Sequence, residues 1–408
     1  MSEWKKVKLG EICERVTSGG TPKANVSSYY NPPTIPWLKT KEVNYCRITE
    51  TENYISEEGL KNSSAKLISP NSVIIAMYGQ GDTAGRIAIN KIPLATNQAC
   101  CNLTIDKSKA DYEFIYYQLC TLYDKLVSLK AGAAQPNLNA RIIKNLEIIM
   151  PSLPIQHRIA SILSRYDSLI ENYQKQIKLL EEAAQRLYKE WFIDLHFPGH
   201  ENTKIVDGVP EGWEKKKLSE LFSFVRGKSY TSKELSDEGT IMVNLKNIQS
   251  FGGYKSDVEK HFIGTFKEEQ TLMKGDLIMG VTDMTQERRL VGSVALIPDF
   301  KETATFSMDL IKLISFKLPN IYLYCAMRYG DVSRQIAPLA NGVNVLHLKP
   351  EAISNIEMVV ASDSIIEKFV SYTSKTIESI LSLQSQLRLL TEARDRLLPK
   401  LMSGEIEI

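Results

Sequence analysis

Residues 179–187 read LLEEAAQRL, and residues 389–397, 210 positions further along the chain, read LLTEARDRL. A second pair has an offset of 209, where WKKVKLGEI at residues 4–12 matches WEKKKLSEL at residues 213–221. Similarity at a fixed offset indicates an internal repeat, here of two units of roughly 200 residues each. The ends of the two units are alike and their middles differ. Simple duplication with drift would explain this, and so would two middles that each recognise something different.

The repeated ends carry a heptad pattern. From Ile159 to Trp191 the apolar and aromatic positions are spaced alternately four and three residues apart. Seven of the ten positions that lie 210 residues later are also apolar, and neither Gly nor Pro lies between Gln156 and Phe197. This spacing is typical of a coiled coil. The first series is Ile159, Leu163, Tyr166, Ile170, Tyr173, Ile177, Leu180, Ala184, Leu187 and Trp191.

The pattern predicts two helices of roughly 35 residues, about 50 Å long each, with Pro399 ending the second. Pairing them as an antiparallel coiled coil would bury both apolar stripes. The alternative is that each helix packs on its own globular domain.

The middle of each unit consists of short apolar runs bounded by turn residues, which is typical of strands. One helix per unit is predicted, over residues 112–130 and 321–336. The predicted fold class is α+β, with two tandem globular domains of mixed β-sheet and helices that are separated and joined by two long antiparallel coiled-coil helices in a pseudo-twofold internal repeat. The expected boundaries are a first domain at 1–152, a first helix at 153–196, a linker at 197–212, a second domain at 213–362, a second helix at 363–402 and a tail at 403–408.

Composition excludes several classes of protein. The 408 residues are 43% hydrophobic and 24% charged with a net charge of +2, which excludes a mainly disordered chain and a histone-like polycation. A local basic surface would still allow DNA binding. The six cysteines form no C-x-x-C pair, which argues against a zinc ribbon. With no signal peptide and no apolar run of 18 residues, a soluble cytoplasmic protein is expected.

Three segments resemble sites of chemistry but lack essential residues. Asn31-Pro32-Pro33-Thr34 has Thr where adenine methyltransferases carry an aromatic residue. The glycine-rich segment 79–85 is followed by a predicted strand, whereas a phosphate loop needs Lys-Ser/Thr and a helix. His196 and His200 are separated by Phe-Pro-Gly, which prevents a helical metal pair. We therefore expect no catalytic residue and no metal site, and a protein that binds rather than catalyses.

Several motifs along the whole chain resemble the specificity subunit of type I restriction–modification enzymes, the HsdS family. The matching segments are LYKEWF at 187–192, FPGH at 197–200, VPEGW at 209–213, RDRLLPKLMSGEI at 394–406 and, inside the first domain, ATNQACC at 95–101. One departure is that the second domain has no counterpart of Asn97-Gln98 beyond the segment ATFS at 304–307.

The resemblance implies that each globular domain is a target-recognition domain that reads one half of a bipartite, asymmetric site in double-stranded DNA. The helices would set the length of the unread spacer and dock two modification subunits, through which restriction subunits would join. S-adenosylmethionine for adenine methylation, and ATP and Mg for restriction, would be bound by those partners and not by this chain. No membrane partner is expected.

Two other classes of function remain open. A coiled-coil scaffold that binds proteins without DNA specificity would share the helices, and its affinity would be insensitive to salt. A methyltransferase or nuclease acting alone would need a cofactor loop or paired carboxylates, which the sequence lacks.

Candidate DNA contacts follow from the chemistry of readout, in which Arg and Lys contact guanine, Asn and Gln contact adenine, and Lys, Arg and hydroxyl groups contact phosphates. In the first domain they are Thr21, Lys23, Lys39, Lys41, Gln80, Thr83, Arg86, Asn97 and Gln98. In the second domain they are Arg226, Lys228, Tyr230, Asn244, Lys246, Asn247, Thr282, Asp283, Arg288 and Arg289.

Overall fold

A computed structural model describes residues 4–130, 137–256 and 260–408. The chain folds into two compact units. The first unit consists of Met1–Asp167 and Ala393–Ile408, and the second of Ser168–Glu392. Each unit has its own hydrophobic core.

The first unit contains a five-stranded sheet in the order β2-β10-β7-β8-β4, a four-stranded sheet in the order β5-β3-β9-β6 and the pair β1-β11. Its strands are β1 (Lys5–Lys8), β2 (Cys13–Ser18), β3 (Ile35–Leu38), β4 (Cys46–Ile48), β5 (Tyr54–Ile55), β6 (Leu67–Ile68), β7 (Val73–Ala76), β8 (Ile87–Asn90), β9 (Leu94–Thr96), β10 (Cys100–Ile105) and β11 (Glu147–Met150). Its helices are α1 (Glu57–Lys61), α2 (Tyr112–Cys120), α3 (Tyr123–Ser128) and α4 (Ala140–Lys144), followed by the start of α5 (Leu153–Tyr188).

The second unit contains four-stranded sheets in the orders β15-β23-β19-β21 and β16-β18-β17-β22, and the pairs β12-β13, β14-β25 and β20-β24. Its strands are β12 (Ile205–Val206), β13 (Val209–Pro210), β14 (Glu214–Lys217), β15 (Phe222–Arg226), β16 (Leu235–Ser236), β17 (Thr240–Val243), β18 (His261–Phe262), β19 (Leu277–Gly280), β20 (Thr282–Asp283), β21 (Val294–Leu296), β22 (Ala304–Phe306), β23 (Leu310–Ser315), β24 (Leu346–His347) and β25 (Glu357–Val360). Its helices are α6 (Leu218–Leu221), α7 (Asn320–Tyr329), α8 (Val332–Ile336) and most of α9 (Asp363–Ser403).

The central strand of each main sheet is buried on both faces, which explains its unbroken apolar sequence. In β7, Val73 and Ile75 belong to one core cluster while Ile74 and Ala76 belong to another. In β19, Leu277 and Met279 face one cluster and Ile278 the other. The strand order β2-β10-β7-β8 corresponds to β15-β23-β19-β21, so the internal repeat predicted from sequence is a repeat of topology.

The heptad seams are the buried faces of α5 and α9. None of the ten seam positions in either helix is exposed. In the second unit the ring of Trp191, just after α5, lies 5.9 Å from Phe369 near the start of α9, while Ile177 and Leu387 line one cavity further along. The helices therefore run antiparallel, and the predicted α+β fold with paired long helices is confirmed.

Three helix predictions were wrong in detail. Pro399 does not end the second helix, which continues to Ser403, because Leu401 and Met402 are buried in the core of the first unit. Residues 112–130 form two helices, α2 and α3, rather than one. Residues 321–336 likewise divide into α7 and α8, at Gly330, whose backbone is extended.

Candidate nucleic-acid interface

In the first unit, backbone hydrogen bonds join the loop after β2 to the turn after β9. Gly19 N donates to Cys100 O at 3.2 Å, and Gly20 N donates to Thr96 O at 2.8 Å. A Cβ atom on Gly19 would lie 2.2 Å from Thr96 O, so only glycine allows this approach. The glycine pair thus brings the two loops together.

The predicted residues of these two loops lie beside each other. The Thr21 hydroxyl donates to Oε1 of Gln98, and both side chains are exposed. Lys23 is exposed. The Asn97 side chain instead accepts a hydrogen bond from the Cys100 thiol at 3.3 Å, which fixes the turn.

Lys39 immediately precedes a short 3-10 helix, Thr40–Glu42, that follows β3, and Lys41 lies within this helix. Lys39 Nζ lies 3.0 Å from Asn53 Oδ1 and 5.1 Å from the centre of the Trp37 ring, and Lys41 forms an exposed ion pair with Glu52. The buried Trp37 donates its indole hydrogen to Gly20 O at 3.1 Å. This segment is therefore attached to the glycine loop.

The glycine-rich loop between β7 and β8 is held by Arg86. Its guanidinium donates to Asp82 Oδ1 at 2.6 Å and to Asn44 Oδ1 at 3.0 Å, and this contact lowers the pKa of the Asp82 carboxyl. The Thr83 hydroxyl donates to Gln80 O at 2.6 Å, which leaves the exposed Gln80 amide at the tip.

Sequence reasoning missed Tyr45 in this loop region. Its side chain is 39% exposed, its backbone is left-handed with φ of 52°, and its ring packs edge-on at 6.4 Å from Tyr123. Partial burial raises the pKa of Tyr45 to about 12. Tyr45 directly follows Asn44, and the hydrogen bond from Arg86 to Asn44, which brings Tyr45 to the glycine-rich loop, is visible only in the folded chain. The one available signal was an isolated aromatic residue in a polar loop.

We refer to residues 19–23, 39–45, 79–86 and 97–98 as the loop cluster of the first unit. Arg86 and Asn44 link the second and third of these segments, and Thr21 and Gln98 link the first and last.

The second unit repeats this backbone frame. Gly227 N donates to Leu310 O at 3.2 Å, Lys228 N to Phe306 O at 2.7 Å, and Ser307 N to Val243 O at 2.8 Å. The corresponding bonds in the first unit are Gly19 to Cys100, Gly20 to Thr96, and Asn97 N to Leu38 O at 3.0 Å. Residues 307–308 are therefore the counterpart of Asn97-Gln98, so the counterpart begins at Ser307 of the segment ATFS and extends one residue beyond it.

Five of the predicted residues of the second unit lie at or near the surface. Arg226 forms an exposed ion pair with Glu351 at 2.6 Å, Lys228 is half-buried, and the half-buried Tyr230 ring lies 6.4 Å from Phe262. Lys246 is exposed on the short helix Leu245–Asn247, and the exposed Arg289 pairs with Glu287 at 2.7 Å.

Four other predicted residues are buried, where they support loops. Asn244 and Asn247 cap the helix between them, with Asn247 Oδ1 accepting from Asn244 N at 3.0 Å. The Asp283 carboxylate accepts from Thr285 N and Leu290 N, each at 2.8 Å, and the Thr282 hydroxyl donates to Asp309 at 3.0 Å. These four buried side chains hold the loops in place. Contact with a ligand is left to the exposed residues of the same loops.

Asp283 fixes a loop of residues 284–289 whose tip contains Arg288 in a left-handed conformation. Gln286 Nε2 donates to Val343 O at 2.8 Å, which joins this loop to a second one that sequence reasoning missed. The Asn341-Gly342 turn was its only sequence signal. Residues 227–230, 244–247, 282–292, 307–308 and 341–347 form the loop cluster of the second unit.

Two features bear on chemistry in the described part of the chain, namely the grouping of metal-ligating side chains and the buried Cys101 thiol. Within residues 4–130, 137–256 and 260–408, no three His, Cys, Asp or Glu side chains are grouped to hold a metal ion. Burial raises the pKa of the Cys101 thiol to about 12, so it is protonated at neutral pH and is a poor nucleophile. Among the same described residues, no helix is long and apolar enough to cross a membrane.

Comparison with known proteins gives consistent results. Residues 1–182 match the family described as type I restriction modification DNA specificity domain. The type I restriction enzyme MjaIX specificity subunit of Methanocaldococcus jannaschii is 28% identical, over 100% of this chain and 94% of that protein. The EcoR124I/EcoR124II specificity subunit of Escherichia coli is 28% identical over 48% of each chain.

A solved structure shows the same fold. The crystal structure of the type I restriction–modification system S subunit from M. genitalium superposes with a TM-score of 0.62 at 17% identity, and covers 98% of this chain and 96% of that one. Sequence likeness over the full length, a family match at the amino end and a shared fold lead to one conclusion. The chain is similar along its length to type I restriction–modification specificity subunits, and its first 182 residues match the DNA specificity domain of that family.

Proposed function

We propose that this chain is the DNA-recognition subunit of a type I restriction–modification complex and that each loop cluster reads one half of a split DNA site. The observation that carries the proposal is the repeated backbone frame with different side chains at corresponding positions. A fixed frame presents side chains at fixed places, and altered side chains there change which base edges are bound. It is a recognition subunit and not a catalytic one.

The exposed cations of the loop clusters suit the phosphate backbone. Lys23, Lys41, Lys246 and Arg289 are exposed on the same loops as the polar groups that could contact bases. Phosphate contacts position a protein on DNA, whereas base contacts give specificity. Duplex DNA is therefore the ligand that this mixture fits.

The long helices have a separate role in the proposal. We expect α5 and α9 to set the spacer between the half-sites and to dock two modification subunits, through which restriction subunits join. S-adenosylmethionine, ATP and Mg would be bound by those subunits. Because the ligand is the DNA of the cell, we place the complex in the cytoplasm.

The deciding experiment is to sequence N6-methyladenine in the DNA of a host that expresses this chain with its partner methyltransferase. The control host expresses the methyltransferase alone. New methylation at one split motif with a constant gap is the expected result. If both proteins are soluble and associated and no new motif appears, the recognition proposal fails.

A protein-binding scaffold is the second candidate function, favoured only by the paired helices. Measuring the affinity of the assembled complex for duplex DNA at increasing salt separates the two. Phosphate contacts predict that the logarithm of affinity falls linearly with the logarithm of salt concentration. A complex that shows no salt-dependent DNA binding would favour the scaffold.

A further inference from the structure

Gln98 and Met308 occupy the same position in the two units. Each is the second residue of the turn that follows a strand paired in parallel with its neighbour, β9 with β3 and β22 with β17. Each turn closes in the same way, with Cys100 N donating to Asn97 O at 3.2 Å and Leu310 N donating to Ser307 O at 3.0 Å. The backbone at this position is the same in the two units, whereas the side chain is a polar amide in the first unit and an apolar thioether in the second.

The side chain of Gln98 is exposed and oriented. The Thr21 hydroxyl donates to one lone pair of its Oε1, which fixes the rotation of the amide. A second lone pair and the two Nε2 hydrogens remain, which is the donor–acceptor set that matches N6 and N7 of adenine.

Met308 is 57% exposed although it is apolar. Its backbone N donates to Lys228 O at 2.9 Å, so it lies against the glycine loop as Gln98 does. The next residue, Asp309, accepts the Thr282 hydroxyl at 3.0 Å, which ties the turn to the longer loop of the cluster. Met284 and Val343 of the same loop cluster are also apolar and exposed, but Met308 is the one that occupies the turn position corresponding to Gln98.

We propose that Met308 is a specificity-determining residue of the second unit and contacts the C5-methyl group of a thymine in the major groove, at the place where Gln98 of the first unit contacts adenine. Thymine is the only base of the four with a methyl group at the groove edge, and apolar side chains recognise it. This inference rests on the proposed function and assigns one base contact to each unit.

Exchanging the two side chains tests the assignment in the full complex. The variants Met308→Gln and Gln98→Met are each expressed with the partner methyltransferase, and the methylated motif is compared with that of the unchanged chain. Met308→Gln should change one base pair in one half-site, Gln98→Met should change one in the other, and neither should alter the gap. Met273→Gln is the matched control, because Met273 is 66% exposed at the opposite end of β19 from the loop cluster.

A second measurement addresses the methyl group directly. Duplexes that carry the established motif are made with deoxyuridine in place of each thymine in turn, and binding by the unchanged complex is measured. Loss of one buried methyl contact should weaken binding about fourfold at one thymine of the half-site that the second unit reads. Met308→Ala should remove that sensitivity.

The outcomes separate the inference from the function on which it rests. If the unchanged complex methylates a split motif but Met308→Gln keeps both half-sites, the assignment of Met308 is overturned and the recognition function stands. If Met308→Gln abolishes methylation, the deoxyuridine series decides, and uniform binding to every substituted duplex overturns the assignment. Absence of any motif with the unchanged complex is a failure of the proposed function itself.

Discussion

Asp167 on α5 is buried where three other parts of the first unit meet. The Tyr117 hydroxyl of α2 donates to Oδ2 at 2.5 Å, and Arg394 of α9 donates to Oδ1 at 3.0 Å. Arg47 of β4 lies 3.9 Å from the same Oδ2. Burial and the Asp167 charge hold the pKa of Tyr117 well above its usual range, so the phenol remains a donor. One carboxylate therefore joins the sheet, a domain helix and both long helices.

We expect Asp167→Asn to lower the free energy of unfolding of the first unit by about 2–3 kcal/mol, since the half-buried Arg394 loses its ion pair with a buried carboxylate. The effect stays below that of a fully buried pair because Arg394 keeps Asp395 at 2.8 Å. Urea unfolding of the full chain measures it. Asp395→Asn is the control, because this side chain is 57% exposed and its ion pair should contribute less than about 1 kcal/mol. Equal effects of the two variants would contradict the role assigned to Asp167.

Cys13 is only half-buried, yet its thiol donates to Leu9 O at 3.1 Å and burial raises its pKa to about 12. Because alkylation requires the thiolate, and a thiolate of higher pKa is the stronger nucleophile, Cys13 should react with iodoacetamide at pH 8 on the order of a hundredfold more slowly than an ordinary thiol. The rate should rise about tenfold per pH unit up to pH 11, as long as the chain stays folded. Mass spectrometry of the labelled peptide follows this reaction, and the urea-unfolded chain is the reference. If Cys13 of the folded chain is labelled at pH 8 as fast as in the unfolded chain, burial does not raise the pKa of its thiol.

At the scale of elements, periodic patterns predicted more than local signals did. The heptad spacing from Ile159 to Trp191, and its repetition 210 residues later, identified both long helices. A helix that buries one face along a partner helix has apolar residues about every 3.5 positions. Local signals misled where distant packing decides, as at Pro399, where burial of Leu401 and Met402 extends the helix. Residue types identified the loops but not which side chains face outward. Lys246 and Asn247 were both predicted to contact DNA, and the folded chain exposes Lys246 and buries Asn247.

Pro399 inside α9 gives a prediction at this scale. Proline lacks the N–H that would donate to the carbonyl of Asp395, and its ring crowds that carbonyl. Pro399→Ala should therefore raise the stability of the first unit, by about 1 kcal/mol rather than the larger cost of a mid-helix proline, because the site lies in the last two turns. A rise in melting temperature measures it, with the exposed neighbour Lys400→Ala as control. A lower melting temperature would mean that proline is required to direct the packing of Leu401.

At the scale of the whole molecule, the chain passes between its two units twice, once in each long helix. The passages lie between Asp167 and Ser168 in α5 and between Glu392 and Ala393 in α9. The contact of Asp167 with Arg394 lies inside the first unit and that of Trp191 with Phe369 inside the second, so neither contact spans a passage. Lengthening the helices at the passages therefore leaves both of these contacts in place.

Lengthening both helices by one heptad at these passages should lengthen the DNA spacer and leave both half-sites unchanged. Duplicating residues 168–174 and 386–392 preserves the apolar seam, and seven residues add about 10 Å of helix. At about 3.4 Å per base pair, the gap in the methylated motif should grow by about three base pairs. Lengthening α5 alone leaves the seams out of register and should abolish methylation. New half-sites at the original gap would contradict the idea that the helices set the spacer. Such a result would mean that the loop clusters determine the length of the gap.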